Sequence, residues 1–328
     1  MLKIEPTITE ILKARIFLEG RIRQTPVETS PELSDIAGAD VLLKWENLQI
    51  CGSFKVRGAL NKMYALSEHE RKRGVITASS GNHAQGVAMA ASLLRIGAVI
   101  CVPGSCPDTK REAIVSRGNG MVDLRVIGRF YDEAEFEAKS ISEKEGLVYV
   151  SAYEDHHVVC GQGTLGLEFV MEVPDMDLLI VPISGAGLIS GVATAAKALC
   201  PGIEVIGVHA DTNPTWKVAW ERGEVVPVDE QETYADALSG AASQVLFPLV
   251  RKIVAGLASV SEVEIARGIA FLHSRHHQIV EGAGAIGVAA LLAGKIKTNG
   301  RKTGIVISGG NIGEKTLLRA IAEAGNIS

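Results

Sequence analysis

The chain has 328 residues, 47 % of them hydrophobic and only 5 % aromatic, which is enough apolar material for two packed cores built mainly from Ala, Val, Ile and Leu. A formal charge of −5 without blocks of like sign argues against nucleic acid or an anionic membrane as partner. No stretch reaches the ~18 apolar residues of a membrane span. The N-terminus MLKIEPTITEILKARIF lacks the apolar region of a secretory signal, and five cysteines without a CxxC pair fit reduced thiols in the cytoplasm.

Strand-like apolar runs alternate with helical patterns along most of the chain. The strand candidates are Gly74–Ala78, Ala98–Val102, Leu124–Ile127, Leu147–Ser151, Leu178–Ile183, Glu204–His209 and Gly304–Ile307. Several are continuously apolar, the pattern of parallel strands covered by helices on both faces. Two helix starts carry a capping box: Ser67 with Glu70, and Ser261 with Glu264, the latter opening a helix that runs to about His277. The expected fold is α/β, with two open, mostly parallel, twisted sheets and helices on both faces. A small domain of residues 71–146 is expected inside a larger one made of residues 1–70 and 147–328.

Three glycine-rich turns follow strands and are expected to open helices. They are ITASSGNHAQG, with a helix from near His83; VPISGAGLISG, with a helix from near Leu188; and VISGGNIG, where Ser308, Gly309 and Gly310 follow the strand. Such turns leave backbone N–H groups unpaired at a helix start, a natural seat for a phosphate or carboxylate. In an open parallel sheet they lie at the carboxyl ends of the strands, where ligands bind. The middle turn also nearly spells a dinucleotide fingerprint. Gly185, Gly187 and Gly191 precede Asp211 by about twenty residues, although the third glycine falls one place late. An NAD-dependent oxidoreductase therefore stands as a competing reading.

Lys55, in GSFKVRGA, is the residue that separates the two. A lysine amine forms a Schiff base with an aldehyde cofactor, and partial burial moves it toward its reactive neutral form. An aldehyde cofactor that also carries a phosphate would need this lysine and one of the glycine turns.

These motifs resemble the serine/threonine dehydratase branch of the pyridoxal-phosphate (PLP) enzymes that share the tryptophan-synthase-β fold. GSFKVRGA is similar to that branch's lysine motif and SSGNHAQG to its substrate loop. GQGTLGLE is similar to its mid-chain signature, SGAGLISG to its phosphate loop and SGGN to its pyridine-contact motif, all in the same order. The resemblance implies that Lys55 holds PLP and moves the α-proton, with Phe54 beside the ring and Asn82 on its hydroxyl. It implies that backbone N–H groups of Ser184, Gly185, Ala186, Gly187 and Leu188 cradle the phosphate. Ser79, Ser80, Gly81, Asn82 and His83 would bind the substrate carboxylate, and Ser308 would face the pyridine nitrogen. Ser80 occupies the position that gives and takes a proton on the opposite cofactor face in racemising relatives.

The departures are informative. Ser184 and Ala186 replace two glycines of the usual phosphate loop, and Ala186 brings a Cβ where positive φ is costly. His209-Ala210 and Thr215 stand where metal-dependent relatives carry oxygen ligands, so no metal site is supported. Glu281-Gly282-Ala283-Gly284-Ala285 replaces a Glu-Pro-Ser-Gly-Ala string beside the ring. His273, His276 and His277 read as a solvated helix end, His156-His157 as a loop pair, and Cys101 and Cys106 as packing residues. The expected activity is dehydration of a small β-hydroxy amino acid such as L-threonine or L-serine, by a homodimer. Racemisation on the same scaffold is the alternative, and a non-catalytic PLP carrier is a third reading.

Overall fold

The computed structural model describes residues 4–229 and 231–325. Strands β1 (Val27–Thr29), β2 (Val41–Trp45), β3 (Val75–Ala78), β4 (Ala98–Val102) and β5 (Val122–Val126) occupy the first part of the chain. They are followed by β6 (Val148–Tyr149), β7 (Leu178–Pro182), β8 (Glu204–Ala210), β9 (Gly256–Val260) and β10 (Thr303–Ile307). The helices of the first half are α1 (Ile8–Leu18), α2 (Pro31–Ala37), α3 (Lys55–Tyr64), α4 (Glu68–Arg73), α5 (Asn82–Leu94), α6 (Asp108–Gly118) and α7 (Tyr131–Glu145). Those of the second half are α8 (His156–Glu172), α9 (Gly187–Leu199), α10 (Thr215–Arg222), α11 (Phe247–Ile253), α12 (Glu262–His276), α13 (Gly282–Leu292) and α14 (Glu314–Glu323).

Six strands form one sheet in the order β1-β2-β10-β7-β8-β9, and four form another in the order β5-β4-β3-β6. All pairings between these strands are parallel except that of β1 with β2. The continuously apolar runs lie at the sheet centres: β3, β4, β7 and β10 are buried at each residue. No residue of edge strand β5 is fully buried, and Asp123 and Val126 are exposed. Both capping boxes form, at the starts of α4 and α12.

Three strands carry no clear sequence signal. β1 has three residues, β2 contains Lys44, and β9 is the short, small-residue run GLASV at an edge. The four-stranded sheet extends past residue 146, because Val148–Tyr149 pairs with β3. His156 and His157 form the first turn of α8 rather than a loop, since the Asp155 carboxylate caps that helix through both His157 N and Val158 N. His273 and His277 are exposed as expected. His276 is half-buried, with its Nε2 2.9 Å from Ser30 Oγ and its ring beside Trp45 and Phe271.

Each sheet has one point where the strand order reverses. In the large sheet the chain runs from β7 outward through β8 and β9, then returns to lay β10 on the other side of β7. In the small sheet it runs outward from β3 through β4 and β5, then lays β6 on the other side of β3. Neighbouring loops diverge at such points and open a crevice at the strands' carboxyl ends. The turns after β3, β7 and β10 are the three glycine-rich turns.

Helices α3 and α8 lie where the chain crosses between the sheets, and α8 packs unusually closely on both α3 and α9. A Cβ on Gly161 would come within 2.5 Å of the Arg57 carbonyl oxygen, and one on Gly191 within 2.3 Å of the Val159 carbonyl oxygen. The glycines of GQGTLGLE thus serve helix contact. The polar residues of that string reach α3: Gln162 Oε1 accepts from Gly58 N at 3.1 Å, and Arg57 donates to Thr164 Oγ1 at 3.1 Å. Arg57 also donates to both oxygens of Glu46 and of Glu168 at 2.7–2.8 Å, while Lys44 Nζ lies 3.0 Å from Glu168. Arg57, Lys44 and Glu46 are wholly buried.

Candidate active site

Lys55 is the first residue of α3, and the three residues before it are stitched to the turn after β10. Phe54 N donates to Ser308 O at 3.1 Å, Gly310 N donates to Gly52 O at 2.9 Å, and Ser53 bridges Gly309. The Lys55 amine then reaches across the crevice to donate to Ala152 O at 3.0 Å, beyond the end of β6, with the Phe54 ring centroid 5.2 Å away. Burial pushes its pKa down from 10.5 to about 8, against a smaller upward pull from Glu281. Near neutral pH such an amine is far more often neutral than an ordinary lysine.

The turn after β3 lies beside it. Ser79 N donates to Cys101 O at 3.1 Å, and Ser79 Oγ accepts from Gly81 N at 3.2 Å, which shapes the turn. Ser79, Ser80 and Gly81 are partly exposed, whereas Asn82 and His83 are buried. The His83 ring turns inward, its Nε2 3.0 Å from Val150 O, and burial followed by the Lys55 charge drives its pKa down to about 3. His83 therefore contributes main chain, not its ring, to the crevice.

Asn82 is tied into a chain of polar side chains. Its Nδ2 donates to Glu281 Oε1 at 2.7 Å, and its Oδ1 accepts from Asn311 Nδ2 at 2.7 Å, which also donates to Cys51 O at 2.9 Å. One amide hydrogen of Asn82 is left for a ligand. Glu281 is only 4 % exposed, and burial, aided by the charge of Asp236, raises its pKa to about 7. A Cβ on Gly309 would sit 2.3 Å from Glu281 Oε1, so a side chain there would have to displace that buried carboxylate.

The turn after β7 leads into α9, which begins at Gly187 without a side-chain cap. Ala186 takes the left-handed conformation, φ 68°, so the chain pays here for the alanine in place of glycine: the strain is about 1–2 kcal/mol. Tyr153 closes one side of the turn. Its ring would collide with a Cβ on Gly185 at 2.3 Å, and its main chain with one on Gly187 at 2.9 Å. Trp216 Nε1 donates to Ser184 O on the other side. Neither aromatic was singled out in the sequence, although Tyr153 lies only eight places before the GQGT string. The turn after β10 does not open a helix directly, since α14 starts at Glu314.

The polar side chains around residues 209–215 are tied down locally. His209 Nδ1 lies 3.0 Å from Ala210 O, Thr215 Oγ1 donates to Asn213 Oδ1 at 2.5 Å, and Asn213 Nδ2 donates to Leu238 O and Gly240 O at 3.0 and 3.3 Å.

The crevice thus offers a half-buried amine of lowered pKa, an uncapped helix start whose glycines leave no room for a Cβ against Tyr153, and a buried Ser308 on the turn stitched to the lysine segment. An aldehyde cofactor bearing a phosphate fits that set of groups. The comparisons agree. Residues 18–309 match the family described as pyridoxal-phosphate dependent enzyme. The L-threonine ammonia-lyase of Thermotoga maritima is 43 % identical over 96 % of this chain and 78 % of its own. The processed form of threonine deaminase isoform 2 from Solanum lycopersicum superposes with a TM-score of 0.90 at 32 % identity, covering 99 % of this chain and 97 % of the other. Maize serine racemase does so at 0.90 and 33 %, covering 97 % of both chains. The chain belongs to the pyridoxal-phosphate dependent enzyme family. Its cofactor is PLP.

Glu281 makes a prediction about pH. Its pKa lies near 7 in the folded cofactor-free protein and near the ordinary 4.5 when unfolded, so the folded state binds more protons between those values. Stability should fall as pH rises from about 4.5 to about 7 and stay low above it. Glu281→Gln, which keeps an acceptor for Asn82, should flatten this decline and raise the melting temperature at pH 8. An unchanged pH profile in thermal unfolding would show that Glu281 is not the group responsible.

Proposed function

We propose that this protein is a PLP-dependent carbon–oxygen lyase that converts a small β-hydroxy amino acid, such as L-threonine or L-serine, to a 2-keto acid and ammonia. The observation that carries the reading is the Lys55 amine, held at the meeting of both sheets' switch points with its pKa lowered to about 8. The threonine ammonia-lyase and threonine deaminase likenesses support this choice of reaction.

Bound PLP supplies an electron sink that makes the α-proton of an attached amino acid acidic. Lys55 Nζ would hold the cofactor and is the amine placed to take that proton. Ala152 O, which accepts from the amine, orients it. The N–H groups of Gly185, Ala186, Gly187 and Leu188 hold the phosphate with Ser184 at the start of the turn, assisted by the positive end of α9. Ser79, Ser80 and Gly81, with the main chain of Asn82 and His83, hold the substrate carboxylate. The remaining amide hydrogen of Asn82 would serve the ring hydroxyl, Phe54 would pack beside the ring, and Ser308 would serve the pyridine nitrogen. A neutral serine there would supply no charge to hold that nitrogen protonated, which suits elimination of the β-hydroxyl. The substrate turn belongs to the inserted unit, and the phosphate turn to the large one. The protein acts in the cytoplasm as a homodimer, without nucleic acid or membrane; no helix among the described residues is long and apolar enough to cross one.

Racemisation is kept as a second reading by Ser80, partly exposed on the substrate turn, and by the likeness to maize serine racemase.

Lys55→Ala should abolish both keto-acid formation and the visible absorbance of bound cofactor, since one amine serves both roles. Activity above a small fraction of wild type would refute the assignment. Ser80→Ala should split the two reactions: elimination from L-threonine needs proton removal on the lysine face only, whereas inversion needs an acid opposite. Assayed with L- and D-substrates, the variant should keep most L-dehydration and lose racemisation and D-substrate turnover. Equal loss of both would make Ser80 a structural residue of the turn.

A further inference from the structure

Away from the active site, helices α1 and α8 bring together a carboxylate, an imidazole and a thiol. His156 and Cys160 are four residues apart on α8 and so share one face. Cys160 Sγ lies 3.7 Å from His156 Nε2, and Glu10 Oε1, from α1, lies 2.8 Å from the same nitrogen. All three donor atoms fall within 4.8 Å of one another. With Zn–N and Zn–O bonds of about 2.0–2.2 Å and Zn–S of about 2.3 Å, a tetrahedral set has edges of roughly 3.3–3.7 Å. The thiol–imidazole edge already has that length. The carboxylate–imidazole edge needs to open by about 0.5 Å, exchanging a hydrogen bond for coordination.

The surroundings are organised for this. The second Glu10 oxygen is fixed by Thr7, accepting from its N at 2.9 Å and its Oγ1 at 2.7 Å, which leaves Oε1 to face the cluster. Hydrogen bonds of this kind orient ligating carboxylates. Cys160 is buried, while the His156 and Glu10 side chains are 33 % and 41 % exposed, so a fourth position opens to water on the solvent side. The nearby Lys62 ammonium is paired with Asp155 Oδ2 at 2.7 Å, and the other oxygen of that carboxylate caps the positive end of α8. One sulfur, one nitrogen and one oxygen suit a borderline-soft ion, not magnesium or calcium.

We propose that Glu10, His156 and Cys160 form a zinc site that clasps α1 to the first turn of α8. The site lies outside the catalytic crevice and is independent of the reaction performed there. Cobalt(II), added to the chelator-treated, PLP-loaded full chain, tests it. The difference spectrum against the metal-free protein should show tetrahedral d–d bands and a thiolate-to-cobalt band, at one ion per chain, displaced by zinc. Cys160→Ser should remove the thiolate band and cancel the rise in melting temperature that zinc gives the wild type. It should also weaken zinc binding by at least the roughly 10–100-fold that even an outer-shell change costs. His156→Ala should weaken binding likewise. An octahedral cobalt spectrum in the wild type, or a thiolate band that persists in Cys160→Ser, would overturn the proposal.

Discussion

Lys44, Glu46, Arg57 and Glu168 put two cations and two anions into the interior where β2, α3 and α8 meet. Removing each from water costs several kcal/mol, and only close, well-directed pairing offsets it. Here the Arg57 fork meets two carboxylates at once, and Lys44 completes its bonding through Thr25 O at 2.7 Å. Burial alone would push the Glu168 carboxyl up, yet Arg57 and Lys44 hold it below its ordinary value. So demanding a cluster forms in few geometries. Because Arg57 is two residues from Lys55, the cluster fixes where α3 begins and which way its first side chain points.

The rest of the site follows from that placement. The strand-like pairing of Gly52–Phe54 with Ser308–Gly310 ties the start of α3 to the large sheet. The Ala152 carbonyl beyond β6, reached by the Lys55 amine, belongs to the small sheet's side of the crevice. The lysine therefore spans the crevice, dry enough for its pKa to fall and near enough to Glu281 to keep that fall moderate. The Glu281–Asn82–Asn311 chain bridges the same gap from another direction.

Much of this was legible in the sequence, because the centres of parallel sheets write continuous apolar runs and glycine turns announce strand ends. All seven strand candidates correspond to strands. What escaped was edge structure, β1 and β9, where burial is partial, and β2, whose pattern is broken by a lysine paired from distant segments. Nothing local signals that Lys44 will find Glu168. Lys55 and the three turns could be singled out from residue chemistry alone, whereas Tyr153 and Trp216 required the fold to bring them against the turn after β7. Ala186 stands in place of a glycine of the resembled loop, and its left-handed backbone shows that the loop keeps a glycine's conformation despite the Cβ.

The claim that a buried ion cluster sets the reactive lysine is tested by Arg57→Lys, which keeps the charge and loses the two-sided fork. The measurement is the rate at which the visible band of bound PLP appears when cofactor is added to the cofactor-free variant, with intact folding verified by circular dichroism. A shift of α3 by a fraction of an ångström should slow that rate by roughly 10–100-fold, since misplacement of about 1 Å costs that order in related steps. A folded variant that takes up PLP at the wild-type rate would show that Lys55 is positioned without the cluster.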